Sequence, residues 1–331
     1  MLDLRYEFLP CANSFMFLSQ HPISQNNDYQ FESAHMGYRD FAACNLSQIS
    51  YLKKMTDKPE IKVAILDLYD GIANEGMRGF QDIINRYKAK HSLNLSYEIF
   101  DVRKKCQVPE YKDFDIYIHS GGPGSPLDSQ GTEWEKKYFN LIDKLEDHNL
   151  SNNPQKKHAF FVCHSFQLMC RKYKLGVIST RRSPSFGVLP VHQTKAGLAD
   201  PIFEGMADPF YTVDSRSWQV IHPDESRFVE LGMQLLAIEK ERPHVDLPRA
   251  LMAIRFNEYF ISTQFHPEAD AVGMMAYLAK EDKKKEVVNE HGLDKYNEML
   301  EHLDDPDKIA HTQNTIIPNF LDQAVLSLQE V

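Results

Sequence analysis

Residues 62–87 read KVAILDLYDGIANEGMRGFQDIINRY, and this stretch decides the fold class. KVAILDLY is a continuous apolar run of strand length, the pattern of a strand covered on both faces. In MRGFQDIINRY the apolar residues return at helical spacing, so Phe80, Ile83, Ile84 and Tyr87 share one face. The alternation then repeats. LSYEIFDV (95–102) and FDIYIHS (114–120) read as strands, TEWEKKYFNLIDKLEDH (132–148) as a helix, HAFFVC (158–163) as a strand and HSFQLMCRKY (164–173) as a helix. Strands alternating with helices predict an α/β protein with a parallel sheet covered on both sides.

From Gly176 to about Pro267 the pattern changes to closely spaced β-like runs: FGVLPVH, PFYTVD, QLLAIEK, RALMAIRF and YFISTQF. These predict hairpins and an antiparallel edge able to wall a pocket. Beyond Ala271 the chain is charged and helical in period, and NTIIPNFLDQAVLSL (314–328) reads as a closing amphipathic helix. The expected organisation is therefore an N-terminal extension (1–60), an α/β domain (61–275) and a helical C-terminal extension (276–331). Met55 stands just before the first strand, which raises the alternative of a start at that methionine.

The chain has 331 residues and a formal net charge of -10, which argues against a nucleic-acid surface, because phosphate binding needs clustered Lys and Arg. Small-molecule chemistry fits better. Five cysteines without CxxC pairing suggest neither a disulfide framework nor a zinc site, and a reducing cytoplasm is the default. No HExxH or paired-Cys spacing appears, so no metal or other cofactor is expected. Residues 1–10 carry Asp3, Arg5 and Glu7 where a secretory leader needs an apolar run, and no membrane span is read.

Three features carry chemistry. In AFFVCHSFQLM (159–169) an apolar strand ends at Cys163 and a helix starts at once, a turn that exposes a nucleophile beside a helix N-terminus. The competing reading is an ordinary buried cysteine. In YFISTQFHPEAD (259–270), His266 and Glu268 are two apart in an extended segment, so the carboxylate can orient an imidazole that takes the thiol proton. His222 in VIHPDESRF is a competing histidine, less favoured because it follows a short run and leads into a polar loop. In IYIHSGGPGSPLD (116–128), Gly121, Gly122 and Gly124 let backbone N–H groups face outward. The N–H of Gly122, with that of His164, is the expected oxyanion site.

The order of these features resembles the class I (triad) glutamine amidotransferase family, of the GMP synthase-type amidotransferase domain without a synthetase domain. The matching segments are Gly121-Gly122-Pro123-Gly124, Phe161-Val162-Cys163-His164-Ser165-Phe166-Gln167 and His266-Pro267-Glu268. The resemblance spans about residues 61–275. It implies a flavodoxin-like doubly wound, mostly parallel sheet, and a Cys163–His266–Glu268 triad that hydrolyses a γ-glutamyl amide through a thioester. It further implies that Gln167, Gly121, Pro123 and Gly124 lie near the substrate. Ammonia would pass to an unknown acceptor, and a separate synthetase subunit is implied because residues 276–331 are too few for such a domain. The C-terminal helices leave room for a homo-oligomer.

Phe161 and Ser165 stand where the family usually has glycines, so the elbow must close around bulkier residues or open slightly. The family's Ser-His pair becomes Ser215-Arg216, where an arginine can pair with a substrate carboxylate or be a surface residue of a loop. These departures keep a homoserine O-acyltransferase-like activity open as an alternative, supported by Phe186-Gly187-Val188. A γ-glutamyl peptidase and a non-catalytic binding relative are the remaining alternatives.

Overall fold

Nine strands form a single sheet in the computed structural model, which describes residues 59–330. The expectations for the N-terminal extension and Met55 fall on residues 1–58, outside the described residues. Strands β1 (Ile61–Asp67), β2 (Leu95–Asp101), β3 (Ile116–His119), β4 (His158–Val162) and β9 (Phe260–Thr263) run parallel in the order β2-β1-β3-β4-β9. This is the flavodoxin-like order expected above.

The other four strands, β5 (Val177–Gln193), β6 (Phe210–Ile221), β7 (Gln234–Glu239) and β8 (Leu251–Arg255), extend the sheet by antiparallel pairing in the order β9-β8-β7-β5-β6.

Adjacent strand residues face opposite layers, and each layer is closed by helices. Ile65, Ile118 and Phe160 pack under α1 (Glu75–His91) and under the C-terminal helix α9 (His311–Gln329). Leu66, Tyr117 and Phe161 pack under α2 (Glu133–Leu150) and α3 (His164–Tyr173). Helix α1 starts where Asn74 accepts a hydrogen bond from the Met77 N–H, and it buries Phe80, Ile83, Ile84 and Tyr87, the face predicted from spacing. Two short helices, α4 (Lys195–Ala199) and α5 (Glu225–Leu231), connect strands of the antiparallel half. No helix of the described residues is long and apolar enough to cross a membrane.

Two segments differ from the sequence reading. PFYTVD and WQVI belong to one strand, β6, which continues through Asp214-Ser215-Arg216-Ser217. The polar residues that resembled a loop alternate instead, with Ser215 and Ser217 exposed and Asp214 and Arg216 buried as an ion pair. The C-terminal helical stretch divides into α6 (Ala271–Leu278), α7 (Glu281–His291) and α8 (Leu293–Asp304), the last two separated by Gly292 at φ 89. These three helices cover the β5–β6 ribbon through a small core that includes Val188, Val213, Leu278, Tyr296 and Met299.

Candidate active site

The carboxyl ends of the parallel strands gather the residues singled out in the sequence, the edge at which α/β sheets place their ligands. Cys163 joins β4 to α3 with φ 52 and ψ -96, a conformation that costs a non-glycine residue about 1–3 kcal/mol and persists only when its surroundings hold it. Three bonds do so. The Cys163 N–H donates to the Thr263 carbonyl (2.8 Å), the Cys163 carbonyl accepts from the Gln167 N–H (3.0 Å), and the Val162 N–H donates to Ser165 Oγ (2.7 Å). The Ser165 hydroxyl in turn faces the His119 carbonyl at 3.0 Å. The bulkier residue at Ser165 thus ties the elbow with a hydrogen bond that glycine cannot make, and the turn stays tight. Phe161 lies in the core, stacked on His119.

His266 and Glu268 follow β9. The His266 N–H donates to the Val213 carbonyl (2.9 Å), so β6 curls back over the parallel strands and fixes the histidine's backbone. Its Nδ1 is 2.8 Å from Glu268 Oε1, and its ring and the Cys163 side chain converge on Gly121, where a Cβ would stand 2.9 Å from His266 Cε1 and 3.4 Å from Cys163 Cβ. Burial opposes a charge on this imidazole, but the negative charges of Glu268 and Cys163 outweigh it and hold the His266 pKa well above its ordinary value. Glu268 is fully buried, and its backbone carbonyl accepts from Gln313 of α9 (3.2 Å). His222 is exposed beyond the end of β6 and has no place in this cluster.

The glycine loop after β3 lies against the elbow. A Cβ on Gly121 would stand 2.9 Å from His266 Cε1, and one on Gly122 would stand 2.3 Å from the Leu68 carbonyl oxygen, so both positions need glycine. A cleft of about 370 Å³ opens here, lined in part by Gly122, Pro123, Gly124, Cys163 and Gln167. Ser215, Arg216 and Ser217 of β6 form another wall, and Lys283 and Val287 of α7 reach the rim. Gln167 is held by the Trp218 carbonyl (3.2 Å) and by Gln264 Oε1 (3.0 Å).

Arg216 departs from expectation. Its Nε donates to Asp214 Oδ1 (2.8 Å) and its Nη2 is 3.2 Å from Glu239 Oε1, so the side chain expected to meet a substrate carboxylate is committed to two carboxylates of the chain. It lies on a strand rather than in a surface loop.

Two residues enter that sequence reasoning missed. Tyr69 brings its hydroxyl to the cluster: a Cβ on Gly76 would meet it at 2.6 Å and one on Gly121 at 3.3 Å. Burial and the negative charges of Glu268 and Cys163 raise its pKa well above 10.0. Arg103 donates from Nη1 to the carbonyls of Pro123 (2.7 Å) and Leu68 (3.2 Å), bracing the glycine loop. The available signal was position, since Tyr69 follows β1 and Arg103 follows β2, both at the ligand-binding edge.

Fold and site together define a doubly wound α/β protein with a cysteine at a strand-to-helix elbow, faced by a His-Glu pair. The model of the family "Glutamine amidotransferase class-I" matches residues 79–282, and the chain belongs to that family. Among solved structures it is similar to a glutamine amidotransferase from Thermotoga maritima (12% identity, TM-score 0.59, covering 81% of this chain and 99% of that one). It is also similar to a glutamine amido transferase from Methylobacillus flagellatus (14% identity, TM-score 0.58, covering 82% and 96%). At these identities the likeness is one of fold. Comparison with curated protein sequences gives no match.

Proposed function

We propose that the chain hydrolyses a γ-glutamyl amide through a thioester on Cys163, with His266 as acid and base and Glu268 as its orienting carboxylate. The observation that carries this reading is the largely buried His266 imidazole, held at 2.8 Å by Glu268 and standing with Cys163, in its strained elbow, against Gly121.

Cys163 sulfur attacks the γ-carbonyl carbon after its proton passes to His266. The carbonyl oxygen takes up the negative charge facing the N–H groups of Gly122 and His164, a type of stabilisation worth about 10²–10³ in rate per donor. The carbon–nitrogen bond then breaks as His266 protonates the departing amine. Water, deprotonated by His266, attacks the thioester; glutamate leaves, and the sulfur recovers its proton. Pro123, Gly124, Gln167 and Ser215 line the substrate cleft in this reading, and Gly121 packs against the His266 ring beside it. When glutamine is the substrate the amine is ammonia, and we assign its acceptor to a separate synthetase subunit.

The test measures ammonia and glutamate from L-glutamine, amine and glutamate from γ-glutamyl peptides, and CoA from acyl-CoA plus homoserine, with wild type and Cys163→Ser. Glutamate release abolished by the substitution supports the proposal. CoA release seen only with homoserine overturns it in favour of acyl transfer, and glutamate release unchanged in Cys163→Ser overturns the role of the cysteine.

A further inference from the structure

A second cavity, of about 630 Å³, lies beside the cleft and shares Pro184, Ser185 and Phe186 with it. Its shape comes from an irregularity in β5. Thr180 pairs with Trp218 and Ser185 pairs with Arg216, so residues 181–184 stand opposite Ser217 alone and bulge away from the ribbon. Ser215, whose carbonyl is 3.9 Å from Cys163 Sγ, is two residues from that point, so the bulge overhangs the approach to the nucleophile.

The lining of this cavity is basic in a chain whose net charge is -10. Arg181, Arg182, Lys240, Arg242 and Lys295 face it, with Glu239 as the one carboxylate. Glu239 is already shared: Arg181 Nη1 (3.0 Å) and Arg216 Nη2 (3.2 Å) reach Oε1, and Arg242 Nη2 (3.1 Å) reaches Oε2. Asp214 pairs with Arg216, and Glu298 pairs with Lys295 at 2.8 Å.

Arg182 and Lys240 make no ion pair among the described residues. Lys240 is half-buried, and its pKa is lowered by that burial and by the nearby charge of Lys295. The Nε of Arg242, which lines this cavity, has no hydrogen-bond partner. A buried guanidinium donor without an acceptor is costly, and an anion is the ligand that satisfies it together with the surplus charge.

We propose that this cavity is an anion subsite of the same active site, receiving a carboxylate or phosphate group carried by the amine that leaves a γ-glutamyl substrate. The inference rests on the γ-glutamyl amide reading and narrows it. Free glutamine releases ammonia and places nothing in the basic cavity, whereas an acidic amine attached to the γ-carbonyl extends past Ser215 and beneath the bulge. The substrate class is then a γ-glutamyl conjugate of an acidic amine, such as a γ-glutamyl amino acid.

The experiment uses Arg182→Gln and Lys240→Gln, both outside the catalytic machinery. Binding of succinate and inorganic phosphate is measured by calorimetry, and kcat/KM is measured for γ-glutamyl-glutamate against γ-glutamyl-methylamide. Wild type is expected to bind the anions saturably and to favour the acidic conjugate by roughly tenfold, the value of one or two charge-assisted hydrogen bonds. Each variant is expected to weaken anion binding and to lose that preference while keeping its rate on the methylamide.

Anion binding that is absent, or equal in wild type and variants, overturns the subsite. Binding that is lost in the variants with an unchanged substrate ratio overturns the substrate assignment and leaves a site for a free anion. If wild type hydrolyses L-glutamine but neither conjugate, the amidase reading stands and the substrate assignment fails; if it hydrolyses none of the three, the amidase reading fails, and calorimetry still decides whether the cavity binds anions.

Discussion

Cys163 occupies a backbone conformation that few side chains tolerate, and the surrounding bonds from Thr263, Gln167 and Ser165 show what keeps it there. His266 is brought beside this cysteine because its own backbone is anchored on Val213 and its ring on Glu268. Glu268→Gln keeps the size of the side chain but removes the charge that holds the imidazolium. The expected loss in kcat is about 10²–10⁴, the usual contribution of a positioned acid–base group, with folding preserved. Steady-state assays beside thermal unfolding check this, and full activity in Glu268→Gln would remove the carboxylate from the account.

At this scale the sequence was most informative where residue type and spacing coincide, as at Cys163, His266 and Glu268. It was silent on Tyr69 and Arg103, whose contributions depend on tertiary placement rather than on any local pattern.

Helix α1 shows how an element serves the site. Its Gly79 faces the Glu268 backbone, where a Cβ would stand 2.3 Å from the carbonyl oxygen. Propensity alone favours Gly79→Ala by about 1 kcal/mol, but the neighbour is backbone and must move. The expected outcome is a lower melting temperature together with slower γ-glutamyl hydrolysis, and a stabilised, fully active Gly79→Ala would show that α1 does not brace Glu268.

The C-terminal helix α9 is equally bound to the site. Phe320 packs on Phe160 of β4, and Gln313 holds the Glu268 carbonyl. Phe320→Ala is expected to cost about 3–5 kcal/mol by the cavity it leaves, read as a shift in the urea midpoint.

Periodicity made most of the elements legible, since α1 and α3 follow directly from it. It failed at β6, where the sequence Asp214-Ser215-Arg216-Ser217 has the composition of a loop. Its strand character depends on Glu239, from another strand, joining Asp214 in neutralising Arg216.

For the molecule as a whole, buried histidines set the response to acid. Burial lowers the pKa of His119 to about 3 and of His158 to about 4, and burial with the charge of Arg103 lowers that of His164 to about 3. The unfolded chain takes up these protons below about pH 6.5 while the folded chain refuses them, so stability is full above that pH and falls as pH drops. At pH 5.5 the loss is roughly 1 kcal/mol per histidine. His266 has the opposite sign: its raised pKa gives a contribution complete below about pH 6.5 and lost as pH climbs through the folded value. Urea midpoints should therefore decline from pH 6.5 to 5.5, less steeply in His119→Leu; midpoints that hold constant over that range would contradict the burial of these rings.

The parallel half of the sheet and the family resemblance were readable because strand–helix alternation and three ordered motifs are local signals. The basic cavity was not, because its cations come from β5, α8 and the connection after β7. The central claim, a reactive nucleophile at Cys163 activated by His266, is tested most directly by the intact mass of the protein after treatment with a glutamine-mimicking electrophile. A single adduct on Cys163, absent in Cys163→Ser and slowed in His266→Gln, is the predicted result. No adduct, or one on the partly exposed Cys106 instead, would contradict it.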